Sequence, residues 1–295
     1  MKIHRSLAAC LLLLALAAAA GAADDTYTVK LHRAFKVGDH YDTHIVIENT
    51  RNVTINNGGA APRVEKQSTS GDLVGRVEVT DIDKTGTAVG LVLTVKKLVD
   101  GSGKELLPPG KEVVIKRGPN ETSFAFTDGD LNADAKSMLA NMFSKHKPES
   151  PTDDDIFGSA DPHKPGEEWK MNAAKAAENL TMSGTPVAAS DLAGKVILKG
   201  PEAAGGVPAV RVTGTMEAKN VKPPDAGTGS QVTACAMQVT FSGLYPIDPA
   251  LPVADCKTEV DMQMSMLMTG SPVNYEIKAH VVNSETITPV KKAEK

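Results

Sequence analysis

From Val260 onward, Met262, Met264, Met266 and Met268 occupy every second position, with Asp261, Gln263 and Ser265 between them. On a strand that period sends all four thioethers to one face. The next alternating run is Val273, Tyr275, Ile277, Ala279 and Val281, reached across Thr269-Gly270-Ser271-Pro272. A four-residue hairpin loop predicts Met268 opposite Val273, Met266 opposite Tyr275, Met264 opposite Ile277 and Met262 opposite Ala279, so that every apolar residue shares a face. Three uses fit this stripe. It can be ordinary core. It can be the wall of a ligand cavity formed by Met262, Met264, Met266, Met268, Tyr275 and Ile277, because flexible thioethers accept irregular chains. It can be a copper(I) site, since thioethers are soft ligands, although sulfurs starting ~7 Å apart along one strand must converge for it.

Other reactive groups are few. Cys235 and Cys256 are the cysteines beyond the N-terminal region, and a lone pair in an oxidising compartment predicts a disulfide. A tight hairpin between their strands would leave the two too far apart for Cα atoms that must approach within ~7 Å. The bridge therefore requires the proline-rich segment from Leu244 to Val253 to fold back. With no nearby His the pair does not make a zinc site. His40, Asp42 and His44 fall on one outward strand face, the two imidazoles ~13 Å apart, which reads as a solvated polar face. Asp128-Gly129-Asp130-Leu131-Asn132-Ala133-Asp134 begins like a calcium loop, but Ala133 stands where the turn needs Gly and Leu139 where the bidentate Glu belongs. Capping of a following helix explains those residues. Asp153-Asp154-Asp155 reads as a solvated loop run. No Gly-x-Ser-x-Gly elbow, P-loop, Gly-x-Gly-x-x-Gly turn or His-Glu-x-x-His helix occurs, and no nucleophile pairs with a base by spacing. The expectation is a protein that is not an enzyme and carries no cofactor.

The elements that must position these groups are mainly strands. Tyr41, Thr43, Ile45 and Ile47 alternate with polar partners, as do Leu73, Val77 and Val79, then Val89, Leu91, Leu93 and Val95. Such alternation means one buried and one wet face. Asn56-Asn57-Gly58-Gly59, Asp83 to Gly86 and Gly118-Pro119-Asn120 read as turns. Leu131, Ala135, Met138, Leu139, Met142 and Phe143 share one face of an amphipathic helix over about 131–146. Ser144 to Pro165, acidic and proline-bearing, reads as a long surface connection.

An internal repeat organises the whole. Lys36-Val37-Gly38-Asp39-His40-Tyr41 returns as Lys164-Pro165-Gly166-Glu167-Glu168-Trp169, and Asp72-Leu73-Val74-Gly75-Arg76-Val77 returns in the same order as Asp191-Leu192-Ala193-Gly194-Lys195-Val196. Both copies predict one hairpin register, with Val79 facing Val89 and Val77 facing Leu91, then Leu198 facing Val210 and Val196 facing Val212. Gly75 and Gly194 fall on the inward face, where a missing side chain marks a bend or close backbone approach. The predicted fold is mostly β: a strongly curved antiparallel sheet or half-barrel, or two sheets packed face to face, built from two related β-meanders with one helix packed on it. Residues 24–288 form a single domain with repeats 24–150 and 160–288, and 289–295 a flexible tail.

The twice-occurring Lys-x-Gly-acid-x-aromatic turn, with Pro165-Gly166 and Trp169 in the second copy, and the Met-rich strand near the end, behind a signal peptide, resemble an uncharacterised family of bacterial secreted proteins. That family is similar to the lipoprotein-carrier half-barrel. The resemblance implies helices in the concavity of a curved sheet and a shape for handling hydrophobic ligands or lipoproteins.

Lys2 and Arg5 precede an apolar run from Leu7 to Ala20, followed by Ala20-Gly21-Ala22 and the acids Asp24 and Asp25. This is the pattern of a secretory signal peptide, residues 1–23, cleaved near Ala22-Ala23, which predicts a secreted or periplasmic protein. No later apolar run is long enough to span a bilayer as a helix. The net charge of −4 gives no electrostatic footprint for nucleic acid. The best-supported class is a binding or carrier protein for an apolar ligand. The runner-up is a structural or assembly protein of the cell envelope with an envelope-protein partner, and the third is a copper(I)-handling protein using Met262 to Met268.

Overall fold

The structure, a computed structural model, describes residues 25–290 apart from 58, 60, 127–130, 223–229, 269 and 271–272. The expected signal peptide, the Asp128-Gly129-Asp130 start of the calcium-like run, most of the Thr269 to Pro272 loop and residues 291–295 lie outside the described residues. Twelve strands form one antiparallel sheet. They are β1 (His40–Asn57), β2 (Arg63–Ile82), β3 (Ala88–Asp100), β4 (Glu105–Leu107), β5 (Glu112–Arg117), β6 (Thr122–Phe126), β7 (Glu168–Lys170), β8 (Leu192–Ala204), β9 (Val207–Ala218), β10 (Ser230–Pro246), β11 (Asp255–Met268) and β12 (Val273–Pro289). Their order is β6-β5-β3-β2-β1-β12-β11-β10-β9-β8-β7, with β4 on β3. The fold is thus mostly β, an open half-barrel made of a single sheet, not two sheets face to face. The two meanders lie side by side and join where β1 pairs with β12, from Tyr41 opposite Pro289 to Asn57 opposite Val273. β12 thus runs through Pro289, and the Val290 N–H donates to the His40 carbonyl, so the first residues assigned to a tail belong to the sheet.

The repeat is visible bond by bond. Asp39 accepts from the Lys36 N–H at 2.7 Å, and Glu167 from the Lys164 N–H at 2.8 Å. Gly38 and Gly166 sit at φ 86° and 89°, a left-handed conformation that favours glycine. Their N–H groups donate to the carbonyls of Val79 and Leu198, respectively. Just past those residues each copy has a register irregularity, between Val79 and Asp81 and between Leu198 and Gly200. The hairpins differ from expectation by the same step in both copies. Val79 faces Leu91 and Val77 faces Leu93, while Leu198 faces Val212 and Val196 faces Gly214. A slip of two keeps every side chain on its face, so alternation does not discriminate between these registers.

Among the described residues three α-helices pack on the inner face: α1 (Ala133–Met142), α2 (Asp153–Phe157) and α3 (Ala173–Met182). α1 is shorter than the 131–146 expected. Asn132 caps its start through the Ala135 N–H, and Phe143 is already extended. Beyond it, the His146 N–H donates to Gly118 and Arg117 to the Ser144 carbonyl, tying the chain to the sheet. The acidic run is not a loop. Thr152 and Asp155 form a capping box, and Asp153, Asp154 and Asp155 make the first turn of α2, where carboxylates suit the positive end of the helix dipole. Asp154 also accepts from the Leu31 N–H at 2.7 Å, which pins the N-terminal segment across the sheet. α3 is a helix the apolar spacing did not single out, because its face is built largely of alanines.

Three apolar cores result. In the first, Ala135, Met138, Leu139 and Met142 of α1 pack on Leu73, Leu93 and Leu98. In the second, Ala176 of α3 meets Met171, Leu192, Met216 and Ala218. In the third, Val29 and Leu31 cover Val196, Leu198, Val212 and Tyr245.

Candidate functional site

Those cores leave the centre of the sheet partly uncovered. α1 touches β1 and β4, and α3 touches β8. Between them, the inner residues Val53 and Ile55 of β1, Val260 and Met266 of β11, and Tyr275 and Val281 of β12 are half-exposed. They belong to one face because they meet across strands: Val53 faces Ile277, Ile55 faces Tyr275, and Val260 faces Val281. The methionine stripe lies in this strip. Met262 faces Ala279, Met264 faces Ile277 and Met266 faces Tyr275, the register that loop length and alternation predict.

The stripe is divided along its length. Met262 and Met264 pack against the second core, together with Ala173, Ala177 and Leu180 at α3. Ile277 is 3% exposed, whereas Met268 at the far end is 40% exposed and accepts a hydrogen bond from Tyr275 Oη at 3.3 Å. The wall is therefore an open surface at one end and a packed one at the other. Two cavities lie elsewhere: one of about 130 Å³ between Thr26–Val29 and Val210, and one of about 350 Å³ beside Lys104 and Asn132.

The cysteines correct one expectation and extend another. Cys235 faces Met264, while Cys256 faces Gly243, so Cys256 lies eight positions before Cys235's partner on β11, roughly 26 Å away along the strand. Both thiols are free. The Leu244 to Val253 segment does not carry Cys235 toward Cys256, because β10 and β11 zip together along this whole stretch. The same register sets Cys235 and Met237 directly opposite Met264 and Met262. Alternation along β10 did not reveal this neighbourhood, since a bulge between Val232 and Ala234 lets Val232 and Cys235, three apart, face the same side.

Below the stripe the inner face turns polar. Glu285 sits between Ile45 and Cys256, and Thr43 Oγ1 donates to its Oε1 at 3.1 Å. Burial raises the Glu285 pKa against the opposing pull of Thr43 and Arg117. Burial also pushes the Cys256 thiol up to about 11 and raises that of Cys235. Neither is an activated thiolate. The outer face is charged. Asp42 is held by Arg76 at 3.0 Å and Lys96 at 2.8 Å, which lowers its pKa, and His44 pairs with Asp72 at 3.0 Å. Asp42 and His44 thus belong to a solvated ion-pair surface, with His40 half-buried on the same face, and among the described residues no three His, Cys, Asp or Glu side chains gather as a metal-ligand set. No described helix is long and apolar enough to cross a membrane.

No family model and no curated protein sequence matches the chain, so the expected kinship with a secreted family has no sequence match behind it. Solved structures that match the chain include a structure of lipid–protein interactions in lipovitellin, 8% identical with a TM-score of 0.38, covering 88% of this chain and 26% of that one. This chain thus spans about a quarter of the lipovitellin chain. OpdQ of Pseudomonas aeruginosa is 8% identical with a TM-score of 0.24, over 84% of this chain and 98% of its own. A LolA superfamily protein, NE2245 of Nitrosomonas europaea, is 8% identical with a TM-score of 0.16, over 88% and 90%. At such identity and overlap, what this chain binds is decided by its own side chains.

Proposed function

We propose that this chain is a non-enzymatic binding or carrier protein for a hydrophobic ligand, a lipid or lipoprotein-like acyl chain, and that it works outside the cytoplasm after loss of residues 1–23. The observation that supports this reading is the half-exposed apolar strip of β1, β12 and β11, with Val53, Ile55, Val260, Met266 and Val281 on one face. Apolar surface left in water costs roughly 25 cal/mol per Å², which a bound acyl chain recovers. The opposite face of the same strands carries His44, Glu48, Asp261, Glu276 and Lys278, while on the inner face the exposed Asn49 and Arg51 of β1, opposite Val281 and Ala279, flank the apolar strip. Thioethers suit chains of varied shape because they bend with little cost.

A fluorescent long-chain fatty acid titrated into the wild type and Met266→Lys tests this. Met266 lies outside the three cores, so the variant is expected to fold, and loss of one apolar contact worth ~1.5–3 kcal/mol predicts binding weaker by about tenfold or more. Equal uptake by the two proteins, or none by either, sinks the reading. A protein copurifying in place of a lipid would select the envelope-assembly alternative.

A further inference from the structure

The pairing of β10 with β11 points to a soft-metal site that is separate from the open end of the stripe. We infer that Cys235, Met237, Met262 and Met264 bind one monovalent soft cation, copper(I) or silver(I). Cys235 stands directly opposite Met264, and Met237 directly opposite Met262, so the four sulfur-bearing residues occupy the corners of one two-by-two block on the inner face. All four belong to or pack against the same apolar core. Along a single strand sulfurs begin ~7 Å apart, but directly opposed residues have Cβ atoms only ~4.5–5.5 Å apart. Each methionine adds three rotatable bonds of reach, so sulfurs from two strands can close on one ion where those of one strand cannot.

The donor set matches the ion in softness and in charge. Thiolate and thioether ligands select copper(I), whereas calcium and magnesium require oxygen ligands that this block lacks. On binding, the Cys235 S–H bond breaks, its proton leaves to solvent, and a sulfur–metal bond forms. One thiolate and one monovalent cation sum to zero, which an apolar core tolerates. Copper keeps its oxidation state throughout, and no reductant is consumed. Because the ligand is the deprotonated thiolate, binding of each ion releases one proton.

The test is an anaerobic titration of the reduced, purified full chain with copper(I) against a chromophoric copper(I) chelator, repeated with silver(I). One ion per chain and one released proton are expected. Cys235→Ser should abolish binding, and joint Met262→Leu and Met264→Leu should weaken it by at least about tenfold, the scale of lost ligand support. Cys256→Ser, far along the strand, should bind as the wild type does. Absence of binding by the wild type, equal binding by Cys235→Ser, or loss in Cys256→Ser overturns the site. Cys235 is buried in the second core and is not part of the half-exposed strip, so fatty-acid uptake measured on Cys235→Ser separates a failure of this inference from a failure of the carrier reading.

Discussion

Glu285 places a carboxyl group on the inner face between Ile45 and Cys256, with Thr43 donating to it. Its pKa lies above the ordinary 4.5 because burial penalises the charged form more than Thr43 and Arg117 favour it. For an acid with a raised folded-state pKa, the stabilising contribution is complete below the unfolded value of 4.5 and is lost as pH rises through the folded value. Glu285→Gln keeps an oxygen for Thr43 and removes the charge. It should therefore melt higher than the wild type near neutral pH, with the difference fading as pH falls below the ordinary carboxyl range. Thermal melts across pH check this, and a lower melt at neutral pH would show that the carboxylate is held in its charged form. Sequence reading did not single out Glu285, because in the chain it is one acid in a polar stretch, Asn283-Ser284-Glu285-Thr286. Its setting comes from β1 and β11, which are distant in sequence or separated by a turn.

At the scale of elements, the inward glycines explain how the long strands approach their neighbours. A Cβ on Gly75 would stand 2.5 Å from Leu93 Cδ1 and 3.0 Å from the Thr94 carbonyl, and one on Gly194 would press on the Thr215 carbonyl and Met171. These are the close approaches that their repeated positions predict. Gly75→Val and Gly194→Val should each destabilise by ~1–3 kcal/mol, as overpacked sites do, read as a drop in the denaturation midpoint. A neutral result at both would mean that the sheet opens there at no cost. Secondary elements were unequally legible. The methionine hairpin was readable because a short loop of fixed length joins its strands and, with period two, sets one register that puts the apolar residues on one face. The 72–95 and 191–212 hairpins slipped by two because several registers satisfy alternation equally, and the turns and bulges choose among them. The disulfide expectation failed at the same level, as continuous β10–β11 pairing holds the cysteines apart.

At the scale of the molecule, each meander has an unfinished central strand. β1 pairs with β12 on one side and β2 on the other, so residues 24–150 alone would leave the whole β12 side of β1 unpaired. An exposed strand edge of that length is an aggregation template, not a stable surface. The half-chain 24–150 should therefore show no sharp cooperative melt, whereas 24–288 should give one transition. Cooperative unfolding of the isolated half would show that the first core alone suffices. The sequence by itself determined which residues face inward, the repeat and its glycine turns, the register of the methionine hairpin and the mostly β class. These are local properties, written in side-chain period and in residues that only certain turns accept. Tertiary structure alone decided that β1 meets β12, that the acidic run caps a helix, that Cys235 meets Met264, and that the central strip stays half-open. Strand pairing between distant segments is made by backbone N–H and C=O groups that nearly every residue offers alike, so the partner of an inward-facing residue is known only when the whole sheet is assembled.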